Sequence, residues 1–213
     1  LEIIPGSLIW LTMFLAVLFS LIRPLWVLYF VIIFDLYWLF RVIYFVFYLT
    51  ISWRKLRAEL KVDWYKLIQE HYPEYKKLWH LIFLPTYKED IEVLRATLRA
   101  LRQTRYPKDK YIVVLAGEER DRESFLKNAQ NLKKEFGGVF GHFLITVHPM
   151  NLPDEIQSKG SNMNFAGKRA KEYIDSLGLP YANIIVSAFD VDTAVHSQYF
   201  AYLAYKYLTV ENP

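Results

Sequence analysis

The feature that most limits what this chain can fold into is a charge-poor stretch at its start. Between Ile3 and Trp53 the only Asp, Glu, Lys or Arg residues are Arg23, Asp35 and Arg41. From Arg54 onward charged residues recur as in an ordinary soluble domain. The run from Ile3 to Ile22 carries no charge and has about the ~20 residues that a bilayer-spanning helix requires. Arg23-Pro24 interrupts it, and a second apolar run, Leu25 to Trp53, is long enough to span with tilt. Pro24 suits the first turn of a helix, where its missing N–H would be unpaired anyway. Two transmembrane helices, at about 3–22 and 25–50 within residues 1–53, are predicted in preference to one long kinked helix. A cleavable leader fits poorly, because the start is not basic and no small-residue cleavage site follows.

Arg54, Lys55, Arg57 and Lys61 come directly after the second run. The positive-inside tendency places that flank, and the chain after it, on the cytoplasmic face. The same residues also fit the solvated start of a soluble helix. Residues 54–79 read as a basic, amphipathic connector, with Trp53 and Trp64 at the headgroup level of a lipid bilayer. The net charge of +4 points to anionic lipid. No aromatic-interleaved basic groove or nucleic-acid module is present, so nucleic acid is not a predicted partner. Asp35 and Arg41 do not share a helix face. Arg41 can snorkel, and Asp35 can pair with another helix or line a polar seam. The absence of cysteine excludes disulfides, thiolate metal sites and cysteine catalysis.

Beyond residue 80 the pattern changes to alternating strand and helix. Strands are predicted at Leu81–Leu84, Tyr111–Ala116, Phe143–His148 and Asn183–Phe189, the last being the most apolar. Helices are predicted from Ile91 to before Tyr106-Pro107, from Arg122 to Phe136, from Asn162 to Leu177 and from Ser197 to Leu208. This order implies βαβ units around a mainly parallel sheet with helices on both faces, an α/β, Rossmann-like fold. The carboxyl ends of the strands then share one edge, where open α/β sheets bind ligands. That edge would present Pro85-Thr86-Tyr87, Gly117-Glu118-Glu119, His148-Pro149 and Asp190-Val191-Asp192. Two carboxylates one residue apart at a strand end suit a hard divalent cation such as Mg²⁺ or Mn²⁺. Such a triplet is also a common turn or helix cap. His148 and His196 read as structural more readily than as ligands. No G-x-G-x-x-G or Walker sequence occurs, which argues against dinucleotide enzymes and P-loop NTPases.

Four segments, in order, resemble the inverting, family-2 glycosyltransferases of the GT-A fold. Leu84-Pro85-Thr86-Tyr87-Lys88-Glu89 is similar to that family's P-x-Y-N-E opening, and Tyr106-Pro107 leads into the second strand as is usual there. Lys159 with Asn164 resembles its G-K-x-x-A-L-N segment, and Asp190-Val191-Asp192 its D-x-D. The resemblance covers Leu81 to Asn212. It implies that residues 80–213 form a nucleotide-sugar-binding GT-A domain. Pro85, Thr86, Tyr87, Glu89, Glu118, Lys159, Asn164 and Asp190 would hold a nucleotide-diphosphate sugar. Asp190 and Asp192 would hold Mg²⁺ or Mn²⁺. Lys159 also reads as a solvated loop lysine ahead of a helix capped by Ser161, Glu89 as a first-turn residue, and Thr86 and Tyr87 as packing.

One segment departs from the family. Where D-D-G-S or D-D-x-S is expected to hold the base, the chain has Gly117-Glu118-Glu119-Arg120. The resemblance also implies a general base after the D-x-D, and Glu211 is the only carboxylate after Ala194. The base is therefore expected beyond Pro213, with only the donor half of the site in these residues. The membrane helices point to a lipid-linked or polymeric acceptor. The alternatives are a non-catalytic, nucleotide-binding membrane subunit that resembles a transferase, and a membrane scaffold without ligand.

Overall fold

The computed structural model describes residues 3–153 and 155–210. The chain divides between Val62 and Asp63 into two compact units.

In the first unit, α1 (Ile3–Ile22) and α2 (Pro24–Glu59) are separated by Arg23, whose φ of −144° and ψ of 71° break the helix. Thr12, Leu15, Ala16 and Phe19 of α1 line one small cavity together with Trp26, Val27 and Phe30 of α2. In a continuous helix Thr12 and Phe30 would lie about 27 Å apart, so the chain folds back into a helical hairpin. Both helices are long and apolar enough to cross a membrane, and no residue of either is buried. Exposed apolar area of this extent is not stable in water; it needs lipid or a protein partner against it. Within α2, Arg41 donates to the Tyr37 hydroxyl at 3.1 Å. The basic residues Arg54, Lys55 and Arg57 lie on the last turns of α2 rather than on a separate connector.

In the second unit, α3 (Trp64–His71) opens on Asp63, whose side chain accepts from the Lys66 N–H at 3.2 Å. That bond, with help from Arg105 at 2.9 Å and Gln198, holds the Asp63 carboxyl below its ordinary range. Trp64 has ring partners within this unit. Its ring packs 4.8 Å from Tyr202 and 4.9 Å from Tyr205 of the last helix, α7 (Tyr199–Thr209). Residues 63–79 thus belong to the second unit, where their aromatic rings find partners.

Four strands form the sheet: β1 (Trp79–Pro85), β2 (Tyr111–Glu118), β3 (His142–His148) and β4 (Ile184–Ala188). All pairings are parallel and the order is β3-β2-β1-β4. Alternate residues feed two cores, as a two-sided strand requires. Ile82, Leu84, Val113 and Leu115 join the core that holds residues of α3, α4 (Ile91–Gln103), α5 (Arg122–Phe136) and α7. Leu81, Phe83, Ile112 and Val114 meet Ala166, Ala170 and Ile174 of α6 (Lys159–Leu177). The chain steps outward from β1 to β3 with α4 and α5 on one face. It then returns past β1 to β4 with α6 on the other face, as right-handed crossovers demand. The direction therefore reverses between β1 and β4, which creates a topological switch point.

Two expectations shift. β4 reads as the most apolar strand but lies at the sheet edge, and Val186 is 59% exposed. Helix α6 begins at Lys159 instead of Asn162. Ser158 is its N-cap in a capping box with Ser161, rather than Ser161 itself.

Candidate functional site

The switch point opens into a cleft of about 630 Å³ at the carboxyl ends of β1, β2 and β4. Pro85, Thr86, Tyr87, Glu89, Glu118, Lys159, Asp190 and Asp192, all singled out in the sequence, line it. Asn164 does not; it lies on the exposed side of α6, while Asn162 lines the cleft and is 1% exposed. Residues three apart share a helix face, whereas five residues rotate the side chain by about 140°. With α6 starting at Lys159, Asn162 is the residue that shares its face.

The first wall is the turn after β1. Glu89 sits before α4, whose N-cap is Asp90, so it is not a first-turn residue. Its carboxylate accepts from the Thr86 hydroxyl at 2.6 Å and from the Tyr87 N–H. These bonds hold a turn in which Lys88 adopts a left-handed φ of 65°, an uncommon state for a side-chain-bearing residue. The turn presents the Tyr87 ring to the cleft.

The second wall is the end of β2. Glu118 is 6% exposed, and its Oε2 accepts from Arg120 through Nε at 2.8 Å and through a second guanidinium nitrogen. The guanidinium lies 4.2 Å from the centre of the Tyr87 ring. The hydrogen bonds to Glu118 raise the Arg120 pKa, so the group stays a cation. Arg120 was not singled out in the sequence, because its contact with Tyr87 joins two different strand ends. Gly117, just before Glu118, is required by packing: a Cβ there would lie 2.4 Å from the Phe125 ring of α5.

The third wall carries the Asp190-Val191-Asp192 triplet. Val191 is 6% exposed and its carbonyl accepts from Thr97 of α4. The Phe189 N–H donates to Phe83 O at 3.0 Å, and the Thr193 N–H to Asp190 O at 3.0 Å. The middle residue is thus pinned inward while both carboxylates stay exposed at the cleft. Asp190 is bound by the Lys159 ammonium. Asp190 and Asp192 supply only oxygen donors, the set that suits Mg²⁺ or Mn²⁺. Among the described residues no third His, Cys, Asp or Glu completes a cluster with them.

The fourth wall is the start of α6, where Lys159 is the first helical residue. Asn162 donates to Ala116 O at 3.0 Å, while its buried Oδ1 has no partner among the described residues. His148 lies outside the lining, buried beside Glu155 at 2.9 Å and the Phe165 ring. His196 is also outside and accepts from the Gln198 N–H at 3.3 Å. Glu211 falls outside the described residues.

No protein-family model and no curated protein matches the sequence. The functional reading therefore rests on the geometry of this cleft.

Proposed function

We propose that the chain is the donor-binding part of a membrane-anchored, family-2-like glycosyltransferase with a GT-A fold. It would take a nucleotide-diphosphate sugar as donor and a lipid-linked or polymeric acceptor, and would work on the cytoplasmic face. The observation that carries the reading is one cleft, at the switch point of a parallel sheet, that gathers an aromatic ring, a helix N-terminus, a lysine and two exposed carboxylates. Each matches one part of such a donor. The Tyr87 ring, with the Arg120 guanidinium over it at 4.2 Å and the Lys88 ammonium at 5.1 Å, forms with Glu118 an aromatic and charged wall against which a base can be held. Lys159 and the first amides of α6 offer positive charge to a diphosphate. Asp190 and Asp192 would hold Mg²⁺ or Mn²⁺, which when bound offsets the charge that develops on the departing diphosphate. Basic residues at the end of α2, with Arg57 stacked 5.2 Å from the Trp53 ring, support the cytoplasmic orientation.

One observation favours the second reading, a nucleotide-binding membrane subunit without catalysis. Of the carboxylates lining the cleft, Glu89, Glu118 and Asp190 are each already bound by a neighbour. Asp192 is assigned to the metal. A base for the acceptor hydroxyl is then not found among the described cleft residues. Thermal-shift measurements on the whole chain in detergent, with a panel of UDP-, GDP- and CDP-sugars with and without Mn²⁺, test the shared donor reading. A Mn²⁺-dependent rise in Tm with at least one of them is the expected outcome. No shift with any of them would leave the scaffold reading. Sugar transfer to a membrane extract then separates the enzyme from the binding subunit.

A further inference from the structure

Helix α6 runs for 19 residues and meets the cleft with its first turn. Ser158 caps it by accepting from the Ser161 N–H at 3.2 Å, and the Asn162 N–H donates to Ser158 O at 3.1 Å. The amides of Lys159 and Gly160 make no such bond among the described residues, so they remain donors to an anion. A second observation points to a ligand independently. The Asn162 side chain is buried, tied at Nδ2 to β2, and its Oδ1 is an unpartnered acceptor in the same cleft. As an acceptor it suits a ligand hydroxyl or a bound water rather than a phosphate oxygen, so it marks the cleft as a ligand site without itself assigning the diphosphate.

Against this background Lys159 stands between two opposite demands. Its ammonium pairs with Asp190, yet a diphosphate at the start of α6 would compete for the same cation. A metal at the triplet would in turn need the carboxylate that Lys159 holds. The side chains are 56% and 66% exposed, and exposed ion pairs are weak, so releasing the pair costs a factor of about two to five.

We propose that Lys159 is an exchange cation that couples diphosphate to metal in this cleft. Without diphosphate it neutralises Asp190 and holds back divalent cations. When a diphosphate binds, the ammonium passes to it and releases Asp190 to the metal. The two ligands then favour each other, and the coupling is reciprocal. The inference rests on the diphosphate reading of the cleft and adds the order in which its charges change partners.

The test is a double-mutant cycle on the whole chain in detergent, read by calorimetry with inorganic pyrophosphate in EDTA. Asp190→Asn frees Lys159 and is expected to tighten pyrophosphate by about two- to fivefold. Asp192→Asn, which removes the same charge without freeing Lys159, is expected to do less. Lys159→Met is expected to weaken pyrophosphate and, in a separate titration without pyrophosphate, to tighten Mn²⁺ by a similar two- to fivefold. In the Lys159→Met background, Asp190→Asn should lose most of its gain. If Asp190→Asn tightens pyrophosphate equally with and without Lys159, the effect is simple charge repulsion and the exchange is overturned. An unchanged Mn²⁺ affinity in Lys159→Met overturns it as well. Those outcomes leave the diphosphate reading standing, whereas pyrophosphate that binds no variant removes both.

Discussion

At their amino ends the strands run into a plug of aromatic rings, whereas at their carboxyl ends they stop in short charged loops around a cleft. His80, Tyr106, Tyr111 and Phe200 fill the first end, with the Tyr111 ring 4.7 Å from Phe200 and His80 4.6 Å from Tyr106. The Tyr111 hydroxyl is 2.8 Å from Thr104, and the Tyr106 hydroxyl donates to Tyr75 O at 2.9 Å. Burial pushes both tyrosine pKa values far up and the His80 pKa down to about 3. At the other end Asp190 and Asp192 are exposed, and the Lys159–Asp190 pair is one a charged ligand can replace. The same strands therefore carry stability at one end and ligand exchange at the other. What differs is only whether the side chains beyond the strand are rings that exclude water or charges that tolerate it.

Changes at the closed end should alter folding and leave binding intact, and changes at the open end should do the reverse. The largest effect is expected at Tyr111→Ala, which removes a fully buried ring. Chemical denaturation should show a loss of about 3–5 kcal/mol, with unchanged pyrophosphate affinity in the folded fraction. An acid titration of stability comes next. His80 has a folded pKa below its unfolded one, so its neutral burial is fully supportive above about pH 6.5 and is lost as pH falls towards 3. Stability should decline by about 1.4 kcal/mol for each pH unit in that window from this residue alone. His80→Leu should flatten the slope without loss at pH 7, since neither ring nitrogen has a partner among the described residues.

Two smaller effects sharpen the seam between the ends. Gly117→Ala drives a methyl group into Phe125 beside Glu118. It should cost about 1–3 kcal/mol and weaken nucleotide binding together, because strand end and cleft wall move as one. Thr97→Val removes the bond that pins Val191. A loss of about 0.5–1.5 kcal/mol is expected, with a larger proportional loss of Mn²⁺ affinity than of stability.

Much of the architecture was legible in the sequence because periodicity reports burial directly. The strand cores, the limits of α5 and the break at Arg23 follow from local pattern. Six cleft residues, Pro85, Thr86, Tyr87, Glu118, Asp190 and Asp192, were legible because strand ends of a parallel sheet must converge, whereas Glu89 and Lys159 came from the family resemblance. What escaped depends on relations between elements. Asn162 replaced Asn164 because Ser158 starts the helix earlier than the pattern implied, which rotates the face. Arg120 and Thr97 were missed because each acts on a residue distant in sequence, Tyr87 and Val191. The contact of Trp64 with Tyr202 escaped because the two rings are far apart in sequence.

The most direct measurement of the central assignment is a calorimetric titration of UDP into the whole chain, with and without Mn²⁺, repeated on Asp192→Ala. Asp192 is exposed and resides at the open end, so the variant should keep its Tm. Binding that strengthens with Mn²⁺ in the parent chain, and loses at least about tenfold of that gain in Asp192→Ala, is the predicted result. Mn²⁺-dependent binding that survives the substitution unchanged would contradict the placement of the metal and diphosphate at the open end of the sheet.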